Sequence, residues 1–338
     1  MQPDQATDGS SMASAPHIEP ATQSAIRRAG RLIVEGRLVA FPTETVYGLG
    51  ADATQGRAVA AIFTAKGRPS INPLIVHLPD TAHAESHALL DARAEALATR
   101  FWPGPLTLVL PRRKQSSISE LATAGLDSVA VRVPAHPIAR ALLAAANRPI
   151  AAPSANRSGR ISATAATHVV EELGDRVDMI LAAGKSPLGL ESTILDLSLD
   201  IPTLLRPGAV TEAEIVSVIG EIRTAEGNPD RPNAPGQLRR HYAPSHALRL
   251  NVTAVDSGEA LLAFGPASLI ARHAGSMLNL SESGDLSEAA SNLFAMLRAL
   301  DSRESRGIAV MPIPQTGLGI AINERLSRAA VAREPYDG

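Results

Sequence analysis

The sequence contains no cysteine among its 338 residues. Disulfides, thiol nucleophiles and cysteine-based zinc or iron–sulfur sites are therefore excluded, and the absence fits a reducing compartment. Aromatic residues make up 3% of the chain, too few for the stacking platforms that bind single-stranded RNA. No uninterrupted apolar run approaches about 18 residues, so we expect no transmembrane helix. The first basic residue is Arg27 and residues 1–17 hold no apolar segment, so we expect no secretory signal and a cytoplasmic location.

The charge is nearly balanced, with 32 basic and 34 acidic residues and a net charge of −2. Proteins held to nucleic acid by bulk charge are normally basic, so any contact with RNA must be local. Residues 101–160 depart from this balance, because they contain eight basic and two acidic residues. This excess fits a solvated face and an anion-binding site equally well.

Lysine is rare, since only Lys66, Lys114 and Lys185 occur. A sequence that otherwise uses arginine retains lysine where a compact point charge is needed, for instance on a phosphate group. Lys66 also precedes Gly67, which suits the last turn of a helix, where a cation complements the dipole and glycine forms the cap. Spacing alone favours this capping role.

Short apolar runs alternate with amphipathic segments between residues 24 and 222, the pattern of a mixed α/β sheet. Residues 1–17 are predicted to be a disordered tail, 18–222 a catalytic domain, 223–245 a proline-rich linker, and 246–338 a smaller α/β domain. Expected strands are 38–41, 74–78, 106–110, 129–133, 150–152, 179–182, 193–197, 203–205, 247–252, 260–264, 276–280 and 308–313. Expected helices are 56–65, 84–100, 137–146, 163–173, 212–220, 285–300 and 318–331.

Common nucleotide and hydrolase signatures are absent. Gly184-Lys185-Ser186 lacks the first glycine of a P-loop because Met179 occupies that position, and Gly48-Leu49-Gly50 lacks the third glycine of a dinucleotide fingerprint. No Gly-x-Ser-x-Gly elbow occurs. His83 and His87 are four residues apart, but no third metal ligand is evident. Any nucleotide site must therefore use another architecture.

Polar segments lie at the ends of several expected strands, where open α/β sheets bind their ligands. Each one alone has a structural explanation, because hydroxyls cap turns and prolines rigidify loops. Together they bring cations, hydroxyls and one histidine to one edge, which predicts a pocket for an anion and an amino acid. The segments are 42–48, 66–68, 72–77, 128–132, 152–156, 191–193 and 205–208.

These segments resemble the Sua5/YrdC/YwlC family of threonylcarbamoyl-AMP synthases, specifically its two-domain Sua5 type. The resemblance spans residues 24–222 and rests on motifs in the family's order. They read PTETVYGLGADA, KGRP followed by NPLIVHL, WPGPLTLVL, GLDSVAVRVPAHP, PIAAPSAN, ESTILDL and LLRPG. The segment Arg240-His241-Tyr242-Ala243-Pro244 also matches the linker motif of the longer members.

The resemblance implies a YrdC-like twisted mixed sheet with flanking helices, followed by a smaller Rossmann-like Sua5 domain, with the linker over the active site. It implies a nucleotidyltransferase that converts L-threonine, bicarbonate (or CO₂) and ATP into L-threonylcarbamoyl-AMP and pyrophosphate, with Mg²⁺ accompanying ATP. The product would pass to the tRNA threonylcarbamoyl transferase machinery, for the t6A modification of tRNAs that decode ANN codons.

The family's functional residues fall on matching positions of this sequence. Lys66, Arg68 and His77 would be catalytic, and whether His77 acts as a base is a hypothesis. Arg132 offers the planar fork that the threonine carboxylate requires. The threonine-binding residues would be Thr43, His77, Arg132, Ala152 and Ser192. The ATP-binding residues would be Lys66, Arg68, Asn72, Ser128, Ser154, Ser162, Arg206 and Tyr242.

Two other functional classes remain open. An RNA-binding module, or weak RNA binding by a synthase, is supported by the basic excess in residues 101–160 and opposed by the scarcity of aromatics. Salt-dependent RNA affinity without nucleotide turnover would favour it. A carbamoyl-transfer enzyme of the hydrogenase-maturation type expects zinc-finger cysteines and an acylphosphatase-like segment, and the chain has no cysteine.

Overall fold

The computed structural model describes residues 17–225, 241–266, 274–301 and 304–331. Within these ranges the strands are β1 (His17–Pro20), β2 (Val39–Phe41), β3 (Gly48–Asp52), β4 (Ile75–His77), β5 (Leu106–Pro111), β6 (Ser128–Arg132), β7 (Ile150–Ala151), β8 (Met179–Ala182), β9 (Thr193–Asp196), β10 (Thr203–Arg206), β11 (Arg223–Thr224), β12 (Leu248–Arg249), β13 (Glu259–Ala263), β14 (Met277–Asn279) and β15 (Gly307–Val310). The helices are α1 (Gln23–Val34), α2 (Gly56–Lys66), α3 (Thr81–Glu85), α4 (Ala92–Phe101), α5 (Glu120–Thr123), α6 (Pro137–Ala146), α7 (Ala166–Leu173), α8 (Glu212–Ile219), α9 (Leu286–Leu300) and α10 (Leu318–Ala329).

The described strands form two sheets. The larger has 11 strands in the order β1-β8-β2-β3-β7-β4-β6-β5-β9-β10-β11, with parallel and antiparallel pairs mixed. The smaller has 4 strands in the order β12-β15-β13-β14, and all of its pairs are parallel. The predicted α/β class, a mixed sheet followed by a smaller Rossmann-like unit, is confirmed.

Local sequence explains where several helices begin and end. The Thr211 and Glu214 side chains form the capping box that their spacing predicts, and α8 begins there. Gly67 ends α2 with a φ of 59°, a left-handed conformation that glycine adopts without strain. The predicted glycine cap is therefore present, although Lys66 beside it is buried rather than exposed.

Several elements of the fold were not predicted, namely β1, β3, β11, α1 and α5, and one predicted helix is divided in two. Strand β3 was not predicted, because glycine weakens strands. At Gly50, however, a Cβ would lie 2.7 Å from the Phe41 ring and 3.0 Å from Ile150, so the sheet packs too closely for a side chain. The single helix predicted at 84–100 is two helices, because Asp80 and Asp91 each accept a backbone N–H and cap a separate one.

The remaining predicted elements in the described ranges are present within three residues of their expected ends. Residues 1–16 of the predicted tail and 226–240 of the predicted linker lie outside the described residues. Strand β11 pairs in parallel with β10, which extends the larger sheet to Thr224. No helix in the described ranges is long and apolar enough to cross a membrane.

The unit built around the larger sheet and the C-terminal unit built around the smaller sheet share an apolar interface. Val46, Ile161 and Leu190 of the larger unit belong to the same buried cluster as Leu293 and Phe294 of α9. Burial of apolar surface contributes about 25 cal/mol per Å², so this cluster stabilises the packing of one unit on the other. The C-terminal unit is thereby held against the edge of the larger sheet where the polar segments lie.

Candidate functional site

A cavity that opens to solvent lies at the edge of the larger sheet where the predicted polar segments meet. The sheet topology explains the convergence, because β4, β6 and β10 end at this edge and β9 begins there. The lining residues are Thr43, Thr45, Val46, Gly48, Arg68, Ile75, His77, Arg132, Ala152, Pro153, Ser154, Glu191, Ser192, Arg206 and His241.

One part of the wall, which we call the Arg132 cluster, consists of Arg132, Glu44, Thr45 and His77. The Arg132 guanidinium lies 2.5 Å from Glu44 Oε1, and it donates to Thr45 Oγ1 at 3.0 Å and to Gly104 O at 3.1 Å. Burial alone would raise the pKa of Glu44, but the Arg132 charge and hydrogen bond hold it below its ordinary value. Glu44 was not predicted as a site residue.

His77 stands beside Arg132 because the two residues are direct partners in the parallel pairing of β4 and β6. Burial and the neighbouring Arg132 charge lower the pKa of His77 to about 3. The ring is therefore neutral near pH 7. Its edge-on neighbour is the Phe41 ring, at a centroid distance of 6.3 Å, and Nδ1 is buried without a hydrogen-bond partner among the described residues.

A second group of cations, the Arg68 cluster, consists of Arg68 and Arg206, which line the cavity, and Lys66, which lies behind the wall. Lys66 Nζ donates to Ser154 O at 2.6 Å and to Asn156 O, and Arg68 donates to Asn72 O at 3.4 Å and Pro73 O at 3.2 Å. Within the described ranges, neither Lys66 nor Arg68 lies within ion-pair distance of a carboxylate. Their positive charges are met by backbone carbonyls instead.

Burial makes the cations of the Arg68 cluster energetically costly. Burial and the neighbouring Arg68 charge lower the pKa of Lys66 well below its ordinary value. Burial and the Arg206 charge lower the pKa of Arg68 to about 10. Arg206 donates to Ser192 O at 2.8 Å and to Ser192 Oγ at 3.2 Å. A bound anion would offset this concentration of positive charge.

Glu191 is a second carboxylate that the sequence analysis did not single out. It lines the cavity, accepts a hydrogen bond from Ser162 Oγ, and lies 3.1 Å from Nε of Arg325 on α10. Burial alone would raise the pKa of Glu191, but Arg325 and Arg206 hold it below its ordinary value. The sequence gives no signal for this pair, because its members are 134 residues apart.

The structure brings most of the predicted site residues to the cavity but not all of them. Thr43, Arg68, His77, Arg132, Ala152, Ser154, Ser192 and Arg206 line it, whereas Lys66, Asn72, Ser128, Ser162 and Tyr242 do not. Lys66 and Ser162 lie behind the cavity wall and donate hydrogen bonds to it: Lys66 to Ser154 O and Ser162 to the Glu191 carboxylate. Arg68 bonds the backbone of Asn72. Ser128 begins β6, about 13 Å along the strand from Arg132.

At the end of the predicted linker, His241 rather than Tyr242 reaches the cavity. Tyr242 has a φ of 61° and stacks on Phe294 of α9, with ring centroids 5.4 Å apart. The His241 and Tyr242 rings meet edge to face, with their centroids 4.0 Å apart. Burial lowers the pKa of His241 to about 3 and raises that of Tyr242 to about 12, so both side chains are neutral near pH 7.

The described residues contain no group of three or more histidine, aspartate or glutamate side chains arranged to hold a metal ion. Of the two carboxylates near the cavity, Glu44 is paired with Arg132 and Glu191 with Arg325. These residues do not form a dedicated all-protein metal cage. They are compatible with Mg²⁺ carried on the phosphates of a nucleotide, since Mg²⁺ normally binds through phosphates, water and few carboxylates.

The fold and this cavity define an α/β protein with a cation-lined site at the edge of its larger sheet, and comparisons with known proteins place it in a family. The model named Sua5_yciO_yrdC, described as "Telomere recombination", matches residues 31–208. The model for the threonylcarbamoyl-AMP synthase C-terminal domain matches residues 210–331. The chain belongs to the Sua5/YciO/YrdC family, as a two-domain member of the Sua5 type.

Individual relatives agree with this assignment over nearly the whole chain. The threonylcarbamoyl-AMP synthase of Pyrococcus abyssi is 44% identical over 324 residues, which cover 90% of this chain and 94% of the relative. That of Bacillus subtilis is 40% identical, with 91% and 93% covered. The crystal structure of P. abyssi Sua5 complexed with L-threonine is 40% identical, with a TM-score of 0.85 and coverage of 93% and 96%.

Proposed function

We propose that the cavity converts L-threonine, bicarbonate or CO₂, and ATP into L-threonylcarbamoyl-AMP and pyrophosphate. The observation that carries the proposal is the adjacency of the two clusters. A guanidinium held in place by Glu44 lines the same cavity as Arg68, and Lys66 lies directly behind that wall. No carboxylate within the described ranges pairs with Lys66 or Arg68. The first arrangement suits an amino-acid carboxylate, and the second suits a polyphosphate.

In this reaction the threonine amine forms a bond to the carbon of CO₂ and loses a proton, which gives a carbamate. A carbamate oxygen then attacks the α-phosphorus of ATP. The bond from that phosphorus to the oxygen bridging to the β-phosphorus breaks, and pyrophosphate leaves. The step is a nucleotidyl transfer, and it depends mainly on positioning and charge neutralisation.

The proposed roles follow the position of each side chain. Arg132 binds the threonine carboxylate, and Thr43, Ala152, Ser192 and His77 contact the rest of the amino acid. Arg68, Arg206 and Ser154 contact the nucleotide, with Lys66 donating to it or fixing the Ser154 loop. Asn72, Ser162 and Tyr242 support this wall from behind, and Ser128 would reach the nucleotide only beyond the cavity edge.

His77 is proposed to act as a neutral hydrogen-bonding partner. A group with a pKa of about 3 accepts a proton poorly near pH 7, so it is a weak general base in the empty site. Mg²⁺ is proposed to enter with ATP and, when bound, to neutralise charge on the phosphates. The cations Arg68 and Lys66 would share that task.

The decisive experiment measures pyrophosphate release by the purified protein with ATP and Mg²⁺, with threonine and bicarbonate each present or omitted. Release that requires both, and that falls sharply in Lys66→Ala and Arg132→Ala, is expected. Folded protein that releases no pyrophosphate with threonine would overturn the proposal. RNA binding across a salt series would then be the next measurement.

The structure gives the RNA-binding alternative little support. Of the basic residues in 101–160, Arg132 is buried against Glu44, Arg157 pairs with Glu172, and Arg160 lies 3.9 Å from Asp301. Their charge is therefore partly neutralised within the protein. We propose that the product passes to the tRNA threonylcarbamoyl transferase machinery for t6A synthesis, which would place the protein in the cytoplasm.

A further inference from the structure

Arg325 is a fully buried arginine that the C-terminal unit contributes next to the reaction cavity. It lies on α10 with no exposed surface, and its Nε is 3.1 Å from Glu191 Oε2. Because Glu191 lines the cavity, this ion pair connects the wall of the site to a helix of the other unit. A buried charge pair of this kind is costly to break.

The same guanidinium also contacts the end of the linker. Its central carbon lies 5.3 Å from the centroid of the Tyr242 ring, within the range of a cation–π interaction. The Tyr242 ring also stacks on the Phe294 ring of α9. Since His241 packs edge to face on Tyr242 at 4.0 Å, fixing the tyrosine also fixes the histidine that reaches the cavity.

The backbone of this segment is seated between the two units. Ala243 N donates to Gly159 O at 2.9 Å, and His241 N donates to Arg328 O at 3.4 Å. The first contact joins the segment to the larger unit and the second joins it to α10. These few backbone contacts hold residues that carry a left-handed tyrosine, so the side-chain contacts with Arg325 contribute to keeping the segment in place.

We propose that Arg325 is a positioning residue for the reaction: it fixes the Glu191 carboxylate in the cavity wall and seats the His241–Ala243 segment over the site. The C-terminal unit would then act on the chemistry through one guanidinium, in addition to its apolar packing. The expected effect of Arg325 on the reaction rate rests on the proposed function. Its expected effect on the position of the His241–Ala243 segment does not.

Arg298 offers a matched control within the same chain. It lies on α9, and its guanidinium is 2.9 Å from Glu172 of the larger unit. It therefore forms the same type of ion pair between the two units, but Glu172 does not line the cavity. Arg298→Met removes pairs with Glu172 and Glu171, and Arg325→Met removes pairs with Glu191 and with Glu324 of its own helix. Only Arg325→Met removes a contact with the cavity wall.

The kinetic test compares Arg325→Met, Arg325→Lys and Arg298→Met by pyrophosphate release. Displacement of groups at a site costs up to about 100-fold in rate, and we expect a loss of this order in kcat for Arg325→Met. Threonine affinity measured without ATP should stay within about twofold, because the Arg132 cluster does not contact Arg325. Arg325→Lys keeps the charge and should recover part of the loss. Arg298→Met should stay within about threefold of wild type, because Glu172 does not line the cavity and no group of the site is displaced.

A structural readout covers the outcome in which the chain shows no synthase activity. Trypsin cleavage after Arg240 generates a fragment that begins at His241, which mass spectrometry identifies. We expect this fragment to form faster in Arg325→Met than in wild type or Arg298→Met. If Arg325→Met fails to fold, Arg325→Lys is compared in its place, with the same direction expected.

Equal losses of activity in Arg325→Met and Arg298→Met would overturn the proposal, since they would show that only the packing of the units matters. Wild-type activity together with a wild-type rate of cleavage in the Arg325 variants would also overturn it. Absence of threonine-dependent pyrophosphate release in the wild-type chain would instead count against the proposed function, while the cleavage comparison would still judge Arg325.

Discussion

The Arg132 cluster and the Arg68 cluster hold their cations in opposite ways. Arg132 is paired with Glu44 at 2.5 Å and bonded to Thr45. Lys66 and Arg68 lie in an equally buried environment and are met only by backbone carbonyls among the described residues. The first guanidinium is neutralised before any ligand arrives, whereas Lys66 and Arg68 have no carboxylate partner among the described residues.

This difference indicates what each part of the wall is suited to bind. A paired guanidinium is fixed in orientation, and it retains N–H groups for one more planar partner, which favours geometric selectivity. Buried cations without a carboxylate partner, such as Lys66 and Arg68 among the described residues, gain most from a ligand that brings several negative charges. Selectivity for the amino acid and strength of phosphate binding are thus separated in space.

The largest expected effect is on stability, at the paired cluster. Arg132→Met would leave the Glu44 carboxylate buried without its partner, and we expect the free energy of unfolding to fall by about 3–5 kcal/mol. Adding Glu44→Gln removes the stranded charge and should recover most of that loss without restoring threonine binding. Urea denaturation of the two variants measures both values.

The exposed pair between Arg37 and Asp178, 3.3 Å apart, is a control for this comparison. Arg37→Met should cost less than about 1 kcal/mol, because solvent screens exposed pairs. If Arg132→Met lowers the free energy of unfolding by no more than Arg37→Met does, the interpretation of Arg132 and Glu44 as a buried ion pair is contradicted.

The next effect is on activity, at the second cluster. Lys66→Met removes a cation that has no carboxylate partner among the described residues, and we expect kcat/KM to fall by about 100-fold. The free energy of unfolding should change by less than about 1 kcal/mol, because relief of the buried charge offsets the two lost hydrogen bonds.

Lys114→Met is the matched control for Lys66→Met, since Lys114 is exposed and should change neither quantity. Pyrophosphate release and urea denaturation are measured on the wild-type chain, Lys66→Met and Lys114→Met. A destabilisation of Lys66→Met comparable to that of Arg132→Met would contradict the distinction between the clusters.

Near neutral pH the smallest expected effect is a pH dependence of stability, because it accumulates only as the pH falls below about 6.5. The pKa of His77 is about 3 in the folded chain, against about 6.5 when unfolded. Between these values the unfolded chain binds a proton that the folded chain does not, so stability falls as the pH is lowered from about 6.5 towards 3. His77→Gln should reduce the slope of unfolding free energy against pH by up to about 1.4 kcal/mol per pH unit.

Because the pKa of His241 is also about 3, His241→Gln should reduce the slope by a similar amount, and the double variant by about twice as much. Urea denaturation at a series of pH values provides the slopes. Identical slopes for wild type and His77→Gln would mean that His77 titrates normally in the folded chain.

Local signals in the sequence were sufficient for most of the fold. Short apolar runs placed most strands, and the Thr211–Glu214 spacing placed the start of α8. Strand β3 was missed because the need for Gly50 arises from Phe41 and Ile150, which contact it from neighbouring strands. A contact of that kind is invisible to a local pattern.

The candidate site divides in the same way. Residues in motifs at strand ends, such as Thr43 and Arg206, reach the cavity because sheet topology brings those ends together, and Arg68 reaches it from the end of α2. Glu44 and Glu191 stand in the same motifs, but their importance depends on arginines 88 and 134 residues away. Phe294 determines that His241, and not Tyr242, lines the cavity, since stacking on the Phe294 ring directs the tyrosine away from the cavity.

The ion pair of Glu191 and Arg325 also constrains how such a chain could change over evolution. Loss of the C-terminal unit would remove the guanidinium that lies 3.1 Å from a carboxylate in the cavity wall. A shortened descendant would retain a buried negative charge with less compensation, at a site that must accept phosphates. Domain loss and replacement of the residue at position 191 by an uncharged one would therefore be expected to occur together in a lineage.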